Sequence, residues 1–261
     1  MGWLVGVDVG GTFTDFYAVN TDTGESVVHK APSSPEDSSK TLVSGLDALG
    51  KDQGVPVSEL ERFAHGTTVA TNALIQRRGG RMALITTRGF KDLLEIGRQI
   101  RPKIYDLQAD YPPALVPRQR RCEVTERSGS MGEEITPLSD DEIARVVDEV
   151  IAANVDSVAI CLLFSFLNAD HETRIAEKLR SAAPGLHVSV SCEVQPEFRE
   201  YERMSTTVLN GFLQPEVSHY MTRLRAELAA RLPDASLGIN QSNGGLMSIG
   251  QAAAYPIRTA L

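Results

Sequence analysis

Val5-Gly6-Val7-Asp8-Val9-Gly10-Gly11-Thr12-Phe13-Thr14-Asp15 is the stretch whose reading decides the fold. Apolar and polar positions alternate through residues 3–8 and again through 13–19, the period of strands that bury one face. Gly10-Gly11-Thr12 turns the chain back between them, so the stretch reads as a β-turn-β hairpin, to which residues 25–30 add a third antiparallel strand. Two glycines without Cβ atoms let backbone N–H groups converge into an anion-binding concavity. Thr12 and Thr14 add hydroxyl donors, Asp15 follows on the second strand, and Asp8 is placed to hold Mg²⁺ through water. A glycine turn between strands is equally a plain hairpin. A plain hairpin does not need an acidic residue two positions ahead of the glycines, inside an apolar strand, where burial without a cation is costly. No Gly-Lys-Ser/Thr follows and a strand rather than a helix comes next, which excludes a P-loop and a dinucleotide fingerprint.

Outward from the turn, strands and helices alternate. Ser34-Pro35-Glu36-Asp37 has the order of an N-cap, a proline at the first helical position and an acidic first turn, so a helix is expected to about residue 49. A strand at 62–65, a helix at 67–78 and a continuously apolar strand at 82–87 follow, the rhythm of an α/β domain with a parallel section. Residues 97–117, with four prolines, read as a long loop. Ser139 caps a helix to about 153, and strand 157–164, helix 169–182 and strand 186–191 complete a second α/β unit. Helices are then expected at 198–213 and 215–231, separated by Pro215, and a strand at 236–241 runs into Ser242-Asn243-Gly244-Gly245. A domain boundary is placed near residue 195.

The 261 residues carry 26 Lys and Arg against 34 Asp and Glu, a net charge of -8 that disfavours nucleic acid and anionic membrane as partners. Cys122, Cys161 and Cys192 are odd in number and widely spaced, which fits neither a disulfide framework nor a zinc site. The N-terminal run lacks a basic region and is broken by Asp8, so it reads as a buried strand rather than a signal peptide, and a cytoplasmic protein is expected.

Among other candidates, His65 sits at the end of a strand leading into a helix, where α/β proteins build sites; a hydrogen-bonded structural histidine fits the same position. Thr67, Thr68, Thr71 and Asn72 share that junction and are the substrate-binding candidates. Arg98, Arg101, Lys103, Tyr105 and Asp106 cluster in the long loop; Arg98, Arg101 and Asp106 join His65 as catalytic candidates, against the alternative of a solvated loop. Residues 197–203 read as an ion-paired helix face clamping two domains. His171 and His219 read as surface residues and Trp3 as core.

The block from Asp8 to Asp15 resembles the first phosphate motif of the superfamily of actin, sugar kinases and heat-shock chaperones. More narrowly, the chain resembles the N-terminal part of the hydantoinase/5-oxoprolinase family. Further blocks carry that resemblance in order: residues 64–74, 89–106, 194–210 and Ser242-Asn-Gly-Gly-Leu-Met247. The resemblance implies an RNase-H-like α/β domain over residues 1–195, with a mixed sheet and flanking helices, and the helical start of a second α/β domain at 196–261. It implies an ATP- and Mg²⁺-dependent hydrolase that activates the oxygen of a cyclic amide by phosphorylation, with a partner subunit of hydantoinase B type. A subunit of an acetone or acetophenone carboxylase-like complex and a noncatalytic nucleotide-binding module are the alternatives. The second phosphate motif of the family is not found before Leu261, so the chain is expected to be one wall of a cleft, inactive alone.

Overall fold

The structure is a computed structural model that describes residues 2–33, 38–100, 102–106, 108–109 and 111–260. The expected helix cap at residues 34–37 and Arg101 lie outside the described residues. By contacts the chain divides into two compact units, one formed by residues 1–78 and 216–261, the other by 79–215. These cuts fall elsewhere than the sequence boundary near residue 195.

In the first unit, β1 (Trp3–Val9), β2 (Phe13–Asn20) and β3 (Ser26–Pro32) form an antiparallel meander. Strict alternation buries Val5, Val7, Val9, Thr14, Phe16 and Ala18 on one face, while Asp8, Phe13, Asp15 and Tyr17 stand on the other, exposed. α1 (Ser38–Gln53) turns Leu42, Leu46 and Leu49, one helical stripe, into the core. Each such leucine contributes about 2 kcal/mol by burial. Gly45 on this helix lies under the Phe16 ring, and a Cβ there would stand 2.0 Å from Phe16 Cζ. β4 (Leu60–Thr67) runs parallel to β1, and α2 (Val69–Ile75) follows it.

The second unit interposes a sheet of its own. β5 (Met82–Thr87) leads through the short α3 (Leu93–Ile96) and the long loop to β6 (Arg121–Val124). β7 (Arg127–Ser128) and β8 (Glu134–Thr136) pair as a small ribbon. Ser139 then caps α4 (Asp140–Ala152), its hydroxyl accepting from the Glu142 amide as the sequence leads one to expect. β9 (Ser157–Cys161), α5 (Asp170–Ala182), β10 (His187–Val190) and α6 (Ser191–Val194) complete a four-stranded parallel sheet of order β10-β9-β5-β6. Its two central strands, β9 and β5, are buried along their whole length, as in parallel sheets covered on both faces. β9 stops three residues short of the expected 164.

α7 (Glu200–Ala229) is one helix with Pro215 inside it, where two helices were expected. The proline removes one backbone donor but does not end the helix. Gly79 and Gly80 are explained by that helix: their Cβ atoms would lie 2.5 Å from the Phe212 ring and 2.7 Å from Pro215 Cγ. In the first unit the later turns of α7 bury Val217, Met221, Leu224 and Leu228. β11 (Ser236–Asn240), β12 (Leu246–Met247) and α8 (Ile249–Ala254) close the chain.

β11 pairs parallel with β4, giving the first unit a six-stranded mixed sheet of order β12-β11-β4-β1-β2-β3. An antiparallel meander with two strands parallel to its first member is the RNase-H-like arrangement. The fold class is therefore as expected, but the strand that completes the sheet lies at 236–240, in the segment the sequence division assigned to the second domain.

Candidate functional site

β1, β4 and β11 are parallel, so the Gly10–Thr12 turn, the Gly66–Thr68 junction and the 241–245 turn all leave the same, carboxyl-terminal edge of the sheet. Crevices at that edge are where α/β proteins hold ligands. The two glycines of the first turn differ. Gly10 donates its amide to the Phe13 carbonyl at 3.0 Å, and a Cβ on it would approach that oxygen to 2.9 Å, so hairpin closure demands glycine there. Gly11 meets nothing within 4 Å of its Cβ position. Among the described residues the amides of Gly11 and Thr12 have no hydrogen-bond partner, and both residues are exposed. Thr14, by contrast, is buried: its hydroxyl bonds Ser33 Oγ at 2.9 Å, and Ser33 in turn donates to the Gly10 carbonyl at 2.8 Å. Thr14 thus braces the turn from beneath, while Thr12 lies on the outside.

On the open face one polar row crosses the strands. Asp15 pairs in register with Lys30 on one side and Asp8 on the other, and Asp8 with Gly66. Asn240 follows Ile239, the register partner of His65, and so falls beside Gly66. A Cβ on Gly66 would sit 3.1 Å from Asp8 Oδ1 and 3.4 Å from Asn240 Nδ2, so these two side chains lean over the glycine from opposite sides. Gly6, Tyr17 and Ala64 join Asp8, Asp15 and Asn240 in lining a shallow cavity of about 320 Å³. Lys30 binds Asp15 at 3.1 Å; Asp8 has no ion pair among the described residues. Asp8 is also exposed, which corrects the expectation of a carboxylate buried in an apolar strand: alternation turns it outward, and its desolvation cost is small. Asn240 was not singled out from the sequence. Period-two alternation along β11 puts it opposite the buried Ile239, but that β11 lies next to β4 is not written locally.

His65 goes to the other face. It is fully buried, its Nε2 bonded to Tyr220 Oη at 2.7 Å, and Nδ1 faces the Val7 backbone without a hydrogen bond of ordinary geometry. Burial lowers its pKa to about 4. The register partner of His65 is Val7 and that of Gly66 is Asp8, so one residue of strand separates the two faces. His65 is a structural histidine that cannot reach the Asp8 row, contrary to its expected catalytic place.

The substrate-binding candidates lie beside the turn. Thr68 Oγ1 reaches the Val9 carbonyl at 3.4 Å and accepts from Asn72 Nδ2 at 3.3 Å, and Thr67 Oγ1 accepts from the Val69 amide at 3.3 Å. Thr68 and Asn72 are exposed and Thr71 half-buried. The helix starts at Val69 rather than Thr67 because Thr67 still belongs to β4.

In the second unit the loop candidates part company. Arg98 makes a two-pronged pair with Glu202, Nε to Oε1 at 2.9 Å and Nη2 to Oε2. Asp106 instead accepts from the Gln108 amide and approaches Lys103 at 3.9 Å, and Tyr105 is exposed. Arg98 and Asp106 therefore do not form one cluster. The expected ion-paired face at 197–203 also differs: Arg199 precedes the helix, and Arg203 is buried, donating to the carbonyls of Leu162 at 2.7 Å and Glu197 at 3.0 Å. His171, expected on the surface, is buried between Glu126 and Glu134 at 2.8 Å each. Burial opposes its protonation, but the two carboxylates win and raise its pKa. Glu126 also accepts from Thr87. Burial pushes the thiols of Cys122, Cys161 and Cys192 up to about 12, as unreactive side chains. Trp3 is core and His219 exposed, as expected. Among the described residues no group of three His, Cys, Asp or Glu could hold a metal ion, and no helix is long and apolar enough to cross a membrane.

Fold and site together define an RNase-H-like α/β protein with an open Gly-Gly-Thr turn beside an exposed aspartate. The hydantoinase/oxoprolinase N-terminal region pattern matches residues 4–183, and the hydantoinase/oxoprolinase pattern matches 203–261; the chain belongs to this family. An uncharacterized protein of Methanocaldococcus jannaschii is 35% identical over 98% of this chain and 38% of its own length. The caprolactamase subunit alpha of Pseudomonas jessenii is 39% identical over 94% of this chain and 36% of its own. The crystal structure of the ATP-dependent caprolactamase from that organism superposes with a TM-score of 0.82 at 34% identity, covering 98% of this chain and 38% of that one. The nucleotide-free acetone carboxylase structure superposes with a TM-score of 0.84 at 25% identity, over the same shares. The chain thus spans little more than a third of the length of these relatives.

Proposed function

We propose that this chain belongs to an ATP- and Mg²⁺-dependent enzyme that opens cyclic amides of the hydantoin or 5-oxoproline type, and that it contributes one wall of the nucleotide site. The observation that carries this reading is the pair of amides at Gly11 and Thr12 without a hydrogen-bond partner, beside an Asp8 without an ion pair, among the described residues. Those amides fit phosphate oxygens, and Gly11 leaves room for a phosphate to approach the backbone. Asp8, with Asn240 across Gly66, fits a hydrated Mg²⁺, which keeps several waters and needs few protein ligands. Bound ATP supplies the phosphoryl group that activates the amide oxygen. The residues of this chain bind and orient: Gly11 and Thr12 donate to phosphate, Asp8 positions the metal, Asp15 is held by Lys30, and Thr68 and Asn72 approach the substrate side. Catalysis of this type rests on positioning and charge neutralisation. A partner subunit of hydantoinase B type belongs to the same proposal, supported by relatives that are themselves subunits.

A second reading, a subunit of a ketone carboxylase, is supported by the likeness to acetone carboxylase. ATP turnover by the full-length enzyme with hydantoin or 5-oxoproline, set against ketone plus bicarbonate, separates the two. Absence of substrate-stimulated ATP hydrolysis with either set overturns both.

A further inference from the structure

His171 stands on α5 with a carboxylate against each of its ring nitrogens: Nδ1 lies 2.8 Å from Glu126 Oε2, and Nε2 lies 2.8 Å from Glu134 Oε1. A neutral imidazole donates from one nitrogen only, and the lone pair on the other repels a carboxylate oxygen. Both contacts are attractive only when both nitrogens carry protons. The shared proton belongs to the ring rather than to a carboxyl, because imidazole is the more basic by about two units. His171 is therefore an imidazolium that bridges two carboxylates. Burial opposes that charge, but the hydrogen bonds to Glu126 and Glu134 outweigh it and hold the pKa above the ordinary 6.5.

The two carboxylates differ in freedom. Glu126 is fully buried, and its other oxygen accepts from the Thr87 hydroxyl, which itself accepts from the Leu163 amide at 3.0 Å. Glu134 is 47% exposed and belongs to β8, one strand of the two-stranded ribbon. A lone pair of strands is marginal without outside support. Besides His171, Asn168 holds the ribbon at its tip, its Nδ2 donating to the Gly132 carbonyl at 3.1 Å. Neighbouring charges are engaged elsewhere. On α5, Glu172 accepts from the Leu162 amide, and Arg174 pairs with Asp140 at 2.8 Å and lies 3.9 Å from Asp170. On the ribbon, Glu133 accepts from the Met131 amide and Arg127 lies over the Phe90 ring.

Loss of one proton decides which contact survives. The buried Glu126 cannot exchange the imidazole for bulk water, so the remaining N–H stays on Nδ1, and Nε2 is left as a lone pair against Glu134. Glu134, at the surface, turns to water instead. We propose that His171 is a pH-sensitive tether: protonated, it pins β8 to α5, and deprotonated, it keeps Glu126 but lets Glu134 go, so that the β7–β8 ribbon loosens about its Asn168 anchor. A histidine whose folded pKa is raised contributes fully below 6.5 and loses that contribution as pH rises through the folded value, so the loosening lies on the alkaline side. The device is independent of the nucleotide reading.

An NMR titration of the His171 ring in the full chain tests it, together with amide hydrogen exchange of residues 127–136 from about pH 6 to about pH 9. Exchange in α4 of the same unit serves as the reference that cancels the intrinsic effect of pH. Ribbon protection relative to α4 is expected to fall at least about tenfold, with the midpoint of the His171 titration, which is the worth of one hydrogen bond to a charged group. In Glu134→Gln the new amide donates to a neutral Nε2 or accepts from a protonated one, so the tether no longer needs the proton. That variant is expected to lower the His171 midpoint and to keep ribbon protection level across the range, and unchanged protection of α4 shows that it folds. A His171 midpoint at or below 6.5 in the wild-type chain, ribbon protection that does not follow the midpoint, or the same pH response in Glu134→Gln overturns the proposal.

Discussion

Asp8 and Asp15 stand directly opposite each other across the β1–β2 ladder, and among the described residues only Asp15 has a cation, Lys30 at 3.1 Å. Like charges at opposed positions destabilise a sheet, by up to about 1 kcal/mol. Asp8→Asn is therefore expected to raise the stability of the ligand-free chain slightly and to abolish its stabilisation by ATP with Mg²⁺. Thermal unfolding with and without Mg²⁺-ATP checks both halves. A lower Tm in the absence of ligand contradicts the unpaired state of Asp8.

The two turn glycines are expected to respond differently. Gly10→Ala drives a Cβ to 2.9 Å from the Phe13 carbonyl and is expected to destabilise by about 1–3 kcal/mol, the usual cost of overpacking. Gly11→Ala has open space and is expected to leave Tm within a degree or two while weakening nucleotide binding. Equal effects of the two substitutions on stability count against the assignment of Gly11 to ligand approach.

His65 gives the first unit a signature in pH. Its pKa is about 4 in the folded protein against 6.5 in the unfolded chain, so the unfolded state takes up the proton first. The stability it contributes is fully present above pH 6.5 and falls as pH drops from 6.5 to about 4, by about 3 kcal/mol over the window. Denaturant titrations at pH 7 and pH 4.5 measure the slope, and His65→Asn is expected to flatten it. An unchanged slope in the variant removes His65 as the cause.

Gly45→Ala tests how closely α1 sits on the sheet. Helix propensity alone favours alanine by about 1 kcal/mol. With Phe16 Cζ 2.0 Å from the Cβ position, the substitution is expected to destabilise instead, by about 1–3 kcal/mol. A stabilised variant, read by urea midpoint, contradicts the packing of Phe16 against this helix.

Much of the local structure was legible because it is set by period and by caps. Residues 3–9 and 13–18 alternate strictly on either side of the turn, and Ser139 with Glu142 fixes the start of α4. The misreadings share one cause, that tertiary partners overrule local signals. Pro215 ends no helix because α7 packs on both sides of it, at Phe212 against Gly79 and at Val217 in the other unit's core. His171 looked like a surface residue in a polar helix until Glu126 and Glu134, brought from other segments, enclosed it.

The sequence by itself determined the hairpin, the Gly-Gly-Thr turn and, through its ordered blocks, the family, while the outward turn of Asp8 came only with the structure. The hairpin and its turn close within residues 3–20, which a linear pattern records. Only the tertiary structure decided that β11 completes the RNase-H-like sheet, that Asn240 stands across Gly66 from Asp8, and that His65 turns away from them. Strand neighbours some 170 residues apart are chosen by which buried faces fit together, and register then assigns each side chain to one face or the other.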